Sequence, residues 1–377
     1  MIRNGIGENI DLVRRRFAYN AAVVAVGGSA LSSGVALAAN RASSKSAGVA
    51  AASKPEKRNI TLATTSISAL PYLPLLVAQQ KGFFSRVGLE LEISEQQSAA
   101  RAIASVAAGS SDIVCGWFEH LLSAPGRALG LQSFALFGVA PMMSLGVTAS
   151  ARTNVSSVPA QLMQLKGRKI GVIALNSPTH TVALAVLRRS GLRADDVGFV
   201  SVGSAASAAV ALRSGQIDAL MHMDPLMLEL EQRGEITTLC DLRSPAAAYG
   251  VLGMHLPSSC IAAPQEFYQR FPVTAQACSD ALLMALQWLG QASLRDMLQF
   301  HESLPEPMQG MTPQSFVAGF KHLHMAFSTD GVCSLQMAGN LLQVMHDAEP
   351  ALRLEKIDIS KSINISLVQR NRARLAI

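Results

Sequence analysis

Apolar and polar residues alternate over 59–65, with Ile60 and Leu62 on one side, a period of two that predicts a first strand. A turn follows at Ser66-Ile67-Ser68-Ala69, and a helix is predicted at 73–80, ended by Lys81-Gly82. After Gly88, Leu89, Leu91 and Ile93 alternate as a second strand. Helix and strand patterns continue to alternate, which predicts an α/β fold with mainly parallel strands. A short pattern then occurs twice at one constant offset. A helix from Ala99-Ala100 ends at Gly109 and leads to Asp112-Ile113-Val114-Cys115; a helix from Ala205-Ala206 ends at Gly215 and leads to Asp218-Ala219-Leu220-Met221. Each Gly suits a helix C-terminus, where the left-handed backbone costs it little. The repeat predicts two similar halves. Residues 260–350 are mostly helical in pattern, with Leu282, Leu286 and Leu289 spaced as one helix face.

A chain of 377 residues suits two lobes rather than one small core. The net charge of +6 would suggest a polyanion partner if it lay on a folded surface. It does not. Residues 1–39 carry four Arg against Glu8 and Asp11, and residues 40–58 carry Arg41, Lys45, Lys54, Lys57 and Arg58 against Glu56. Residues 59–377 are therefore neutral overall. With aromatics at only 5%, no nucleic-acid platform is expected. The five cysteines, Cys115, Cys240, Cys260, Cys278 and Cys333, form no CxxC pair, so neither a metal site nor a cofactor is expected. Two within-chain disulfides remain open.

The N-terminus orders a basic stretch, a mildly apolar stretch from Ala18 to Leu31 and the small-residue pattern Ala36-Leu37-Ala38. That order predicts an export signal over 1–39 and a periplasmic location. Arg14-Arg15-Arg16-Phe17 resembles a twin-arginine leader, although Val13, Ala18 and Tyr19 depart from that pattern, so the general secretory route stays open. Residues 40–58, rich in Ala, Ser and Lys, are expected to form a flexible linker.

Several segments together carry a family resemblance. They are Leu75-Leu76-Val77-Ala78 leading to Lys81-Gly82-Phe83-Phe84, Gly88-Leu89-Glu90-Leu91, Gly109 with Asp112, Leu165-Lys166-Gly167-Arg168-Lys169-Ile170-Gly171-Val172, and Leu212-Arg213-Ser214-Gly215-Gln216-Ile217-Asp218-Ala219. Their order resembles the periplasmic substrate-binding proteins of the nitrate, sulfonate, taurine and thiamine-precursor ABC importers. The resemblance implies a type II periplasmic binding protein fold, with two α/β lobes joined by two crossovers and a cleft between them. It places lobe 1 at 59–149, lobe 2 at 150–244, and a return to lobe 1 with C-terminal helices at 245–377. Crossovers are expected near 149–157 and 243–246. It also implies a monomer that captures a small organic solute and delivers it to an inner-membrane ABC permease.

Candidate ligand contacts lie at strand ends. Asn176-Ser177-Pro178-Thr179-His180 follows the apolar run 170–175; Ser177 suits an N-cap and Pro178 the first helical position. The Thr179 and His180 amides would then be free at the positive helix end, a site for an anion or a carbonyl. Ser66, Ile67 and Ser68 leave the first strand at its carboxyl end, where open α/β sheets bind ligands. Gly116 permits close backbone approach, Trp117 or Phe118 offers a ring for stacking, and Glu119 would select a ligand with a donor or a positive charge. Asp224, ahead of Pro225, occupies the equivalent place in lobe 2, beside His222; Ser144 is a further candidate. No Arg or Lys stands in these loops, which favours a neutral or singly charged solute over a doubly charged anion.

The rival reading is an enzyme on the same scaffold, desulfinase-like or biosynthetic, with Cys115 as nucleophile and His120 as its base. A ligand-sensing module is a third. Cys115 within an apolar run reads more simply as a small buried hydrophobe, so a binder without catalysis is expected.

Overall fold

The computed structural model describes residues 54–65, 67–152, 157–304, 311–349, 356–367 and 369–370. The leader 1–39 and residues 40–53 lie outside them. The end of the expected linker is not loose: the Glu56 carboxylate accepts from the Val273 and Thr274 amides at 3.1 and 2.9 Å, capping the long helix Pro272–Gln291.

Among the described residues, ten strands form two sheets. The first contains β1 (Asn59–Thr64), β2 (Glu90–Glu95), β3 (Ile113–Trp117), β4 (Leu131–Leu136) and β10 (Ser259–Pro264), in the order β2-β1-β3-β10-β4. The second contains β5 (Met143–Thr148), β6 (Lys169–Val172), β7 (Gly198–Ser201), β8 (Ala219–Met223) and β9 (Ile236–Asp241), in the order β7-β6-β8-β5-β9. In each sheet three strands run parallel, and the strand that enters from the other lobe, β10 or β5, pairs antiparallel on both sides.

The helices used below are α1 (Leu73–Gln80), α2 (Ala99–Ala107), α3 (Glu119–Leu122), α4 (Pro178–Arg189), α5 (Ala205–Arg213), α6 (Leu226–Gln232), α7 (Pro245–Leu252), α8 (Pro272–Gln291), α9 (Pro313–Leu323) and α10 (Leu335–Ala348). On α8 the predicted face of Leu282, Leu286 and Leu289 is buried, and α8 packs on α1.

The sequence repeat has a physical basis. Gly109 and Gly215 both take φ of +73°, one residue past the caps of α2 and α5. Asp112 and Asp218 each anchor the neighbouring strand. Asp112 accepts from the Thr61 amide at 3.0 Å, and Asp218 accepts from the Lys169 amide at 2.9 Å. Their own amides donate back to Thr61 and Lys169 at 2.8 Å. Each Asp thus satisfies a strand-start amide that would otherwise lack a partner.

The crossovers differ from expectation. β5 belongs to the second sheet, so the chain changes lobes before Met143 rather than at 149–157. It returns between α7, which packs on α4 and β9, and β10, so at 253–258 rather than 243–246. The strand pairing, rather than the boundaries implied by the resemblance, sets these positions. The two connections are tied together: Phe137 N–H donates to the Ser259 carbonyl at 2.8 Å, and Ser258 N–H donates to the Gly138 carbonyl at 3.0 Å. Met142 N–H donates to Leu242 at 3.0 Å on the other side.

Gly126, in the helix Ala124–Ala128, seats α3. A Cβ there would lie 2.1 Å from the His120 carbonyl oxygen and 3.0 Å from Leu121 Cα, both backbone atoms. Gly126→Ala is expected to destabilise the protein by about 1–3 kcal/mol through overpacking. Urea unfolding checks this; an unchanged midpoint refutes the close approach.

Candidate functional site

A cleft of about 360 Å³ lies where the two lobes meet. Glu119, His120 and Arg127 line it from the first lobe, and Asn176, His180, Thr181 and Leu184 line it from the second. Met345, Ala348 and Glu349 complete the wall.

A hydrogen bond links the lobes across this cleft. Thr181 Oγ1 donates to Glu119 Oε1 at 3.0 Å. Glu119 opens α3 directly after β3, and Thr181 sits in the first turn of α4 directly after the loop that follows β6. Glu119 is only 8% exposed. Burial pushes its carboxyl up to about 7, against a smaller opposing effect of the Thr181 hydroxyl. Near neutral pH the group is thus poised between an acid that donates and a carboxylate that only accepts. Burial also pushes the His120 imidazole down to about 4 and lowers His180. Both rings are neutral at pH 7, so each offers one donor and one acceptor. On His180, Nδ1 accepts from the Asn176 amide at 3.1 Å, which leaves the proton on Nε2. Its ring meets Phe199 edge-on, with centroids 4.5 Å apart.

The loop before α4 is built differently from the capping expected. Asn176 takes φ of +60°, turning the chain. Ser177 holds the N-cap position, but its hydroxyl donates to the Ala174 carbonyl at 2.7 Å rather than capping an amide. Thr179 is buried, and its Oγ1 accepts from the Ile173 amide at 3.0 Å. Both side chains therefore fasten the loop onto its own first residues after β6, and neither lines the cleft. The first helical bond is Thr181 N–H to Ser177 carbonyl, so the Thr179 and His180 amides precede the helical ladder as expected.

The other predicted residues separate. Gly116 and Trp117 line a small hollow of about 10 Å³ with Thr65, Tyr72 and Cys115, and His120 borders both this hollow and the cleft. Trp117 and Thr65 stand beside Tyr72 in this hollow. Phe118 is fully buried core and offers no ring for stacking. Ile67 and Ser68 line a groove of about 100 Å³ with Pro225, Met311 and Phe316, and the Ile67 amide donates to Glu95 at 2.8 Å. Ser66 lies outside the described residues. Ser144 is buried on β5 opposite His222 and does not line the cleft.

Asp224 is likewise not a cleft residue. It is buried against the Arg243 guanidinium at 3.3 Å and accepts from the Leu228 amide at 3.1 Å, inside α6. The N-cap position falls to Pro225, one residue later than expected. Arg243 also pairs with Glu231 and Asp241, both at 3.0 Å.

Arg127 adds a cation to the cleft wall from outside the loops singled out, although its Nη1 already donates to the Leu122 carbonyl at 2.8 Å. Asn176 opens the motif that the sequence singles out, and Thr181 follows directly after it. Met345 and Glu349 carry no local signal, because a distant helix brings them there.

Cys115 does not suit a nucleophile. It is 1% exposed, and burial pushes its thiol well above the ordinary range. All five cysteines are buried and unpaired.

Comparison with known proteins agrees with this architecture. The family model described as NMT1/THI5 like matches residues 71–292. A solved protein of Bordetella bronchiseptica RB50 is 34% identical with a TM-score of 0.75, covering 86% of this chain and 100% of its own. The periplasmic nitrate-binding protein NrtA from Synechocystis PCC 6803 is 14% identical with a TM-score of 0.69, covering 86% of this chain and 90% of its own. Among curated proteins, the 4-amino-5-hydroxymethyl-2-methylpyrimidine phosphate synthase of Uromyces fabae is 26% identical over 166 residues, 44% of this chain and 46% of that protein. The chain thus spans less than half the length of that curated relative. With two mixed sheets, a pair of crossovers and a cleft between them, the chain has the periplasmic binding protein fold and belongs to the NMT1/THI5-like family.

Proposed function

We propose that this protein is the exported solute-binding component of an ABC importer, capturing a small organic solute in the interlobe cleft by hinge closure. The bond between Glu119 and Thr181 carries this reading, because a solute entering there meets side chains of both lobes at once. Closure gains only what such contacts favour over the open form. The closed form would then dock on a permease of the inner membrane, and residues 1–39 would direct export to the periplasm.

Glu119 narrows the solute. A buried carboxyl that becomes charged gains most from a ligand with nitrogen donors or a positive charge, and it opposes nitrate or a simple sulfonate. The neutral imidazoles of His120 and His180 suit the edge of a polar heterocycle. The name of the Uromyces fabae relative points to aminopyrimidines, which have this character. That name also raises an enzyme reading; the aligned stretch is under half of that protein, and Cys115 supplies no reactive group.

Calorimetric titration with 4-amino-5-hydroxymethyl-2-methylpyrimidine, an alkanesulfonate and nitrate tests the choice. The aminopyrimidine is expected to bind at least about tenfold more tightly than either anion, and Glu119→Gln to weaken it by about 1.5–3 kcal/mol. Preference for the anions, or a variant that binds as well as the parent, contradicts the assignment.

The pH dependence follows from the raised Glu119 carboxyl. The folded state holds this proton up to about pH 7, whereas the unfolded chain releases it near the ordinary value of 4.5. This contribution to stability is present below pH 4.5 and is lost as pH rises through about 7. Its size is on the order of 3 kcal/mol. His120 and His222, both lowered to about 4, act oppositely, adding stability as pH rises from about 4 to 6.5. The difference between wild type and Glu119→Gln isolates the carboxyl. The wild type is expected to lose stability relative to the variant between pH 5 and about 8, as measured by urea unfolding. A constant difference would mean that the carboxyl is not buried.

A further inference from the structure

α10 lies beyond the family-matched residues 71–292, yet it supplies part of the cleft wall through Met345, Ala348 and the adjoining Glu349. The first lobe holds the chain on both sides of this helix. Upstream, Leu136 N–H of β4 donates to the Gly331 carbonyl at 2.8 Å. A Cβ on Gly331 would stand 3.0 Å from Leu283 of α8, so the backbone is pressed closely onto that helix. Downstream, Asn364 N–H donates to the Ser133 carbonyl of β4 at 2.8 Å, and Ile363 forms a parallel bridge with Ser133.

Between these anchors α10 packs against α4 of the second lobe and also touches α3 of the first. Asn340 Nδ2 donates to the His255 carbonyl, in the returning crossover, at 3.0 Å. Ala338, Leu341, Val344 and Met345 are buried on the helix. The element therefore spans the mouth of the cleft from one lobe to the other. A hinge motion that separates α3 from α4 must shear the contact between α10 and α4.

We propose that α10 is a strap, fixed to the first lobe at both ends, that holds the cleft closed by its contact with α4 and must release α4 before solute can enter or leave. Its purpose rests on the cleft being the solute site, but the strap itself is testable without solute.

Hydrogen exchange on the full chain in the absence of solute makes the test. Met345→Ala is expected to raise exchange by about tenfold or more in 178–189 as well as in 335–348, while amides of β4 stay unchanged. Asn340→Ala, which removes only one hydrogen bond, is expected to give the same pattern at about threefold. An increase confined to 335–348 in both variants overturns the proposal. If Met345→Ala loosens β4 as well, Asn340→Ala decides, and no change at 178–189 in that variant overturns the strap. Loss of solute binding on Glu119→Gln with this exchange pattern intact supports both readings; a solute that ignores Glu119 sinks the functional reading and leaves the strap standing.

Discussion

A carboxyl buried in one lobe and bonded to a hydroxyl of the other sets the terms for the rest of this molecule. Glu119 is held out of water and accepts from Thr181. Burying a carboxylate without compensation is costly, so burial pushes its carboxyl up. A partner that supplies donors or positive charge there would offset that cost. The same constraint therefore ties the meeting of the lobes to the chemistry that the cleft can accept.

The fold places this pair by repetition. Each lobe uses a parallel β-α-β core, a left-handed Gly behind a helix, and an Asp that fastens the next strand to its neighbour. Each lobe then receives one antiparallel strand from the other, so the two connections run side by side and bond to each other through Phe137, Gly138, Ser258 and Ser259. Two lobes joined by paired connections present their strand-end turns to a common boundary. That boundary holds a cleft and a groove beside Pro225, whereas the small hollow beside Tyr72 lies within the first lobe.

What was legible in the sequence follows from how local each signal is. The repeat of Gly109 and Asp112 at Gly215 and Asp218 depends on backbone conformation and an adjacent strand, so it survives in sequence. Glu119 and His180 stood out because they follow apolar strands. Phe118 and Asp224 share that strand-end position and Ser144 lies within a strand, and tertiary packing keeps all three from the cleft. Phe118 points into core, Ser144 belongs to the other sheet, and Asp224 is engaged by Arg243, a pairing between residues distant in the chain. The Thr179 and His180 amides precede the helical ladder as the sequence predicts, but the Ser177 and Thr179 hydroxyls are spent on locking the loop. Met345 and Glu349 were invisible, because only the path of α10 between two anchors on β4 brings them to the cleft.

The account stands or falls on whether Glu119 and Thr181 act on each other across the lobes in solution. A double-mutant cycle of Glu119→Ala and Thr181→Val, measured by urea unfolding, reads that coupling directly. It should be on the order of 1–2 kcal/mol. A coupling indistinguishable from zero would contradict it, since the two side chains would then not be in contact in the protein's resting form.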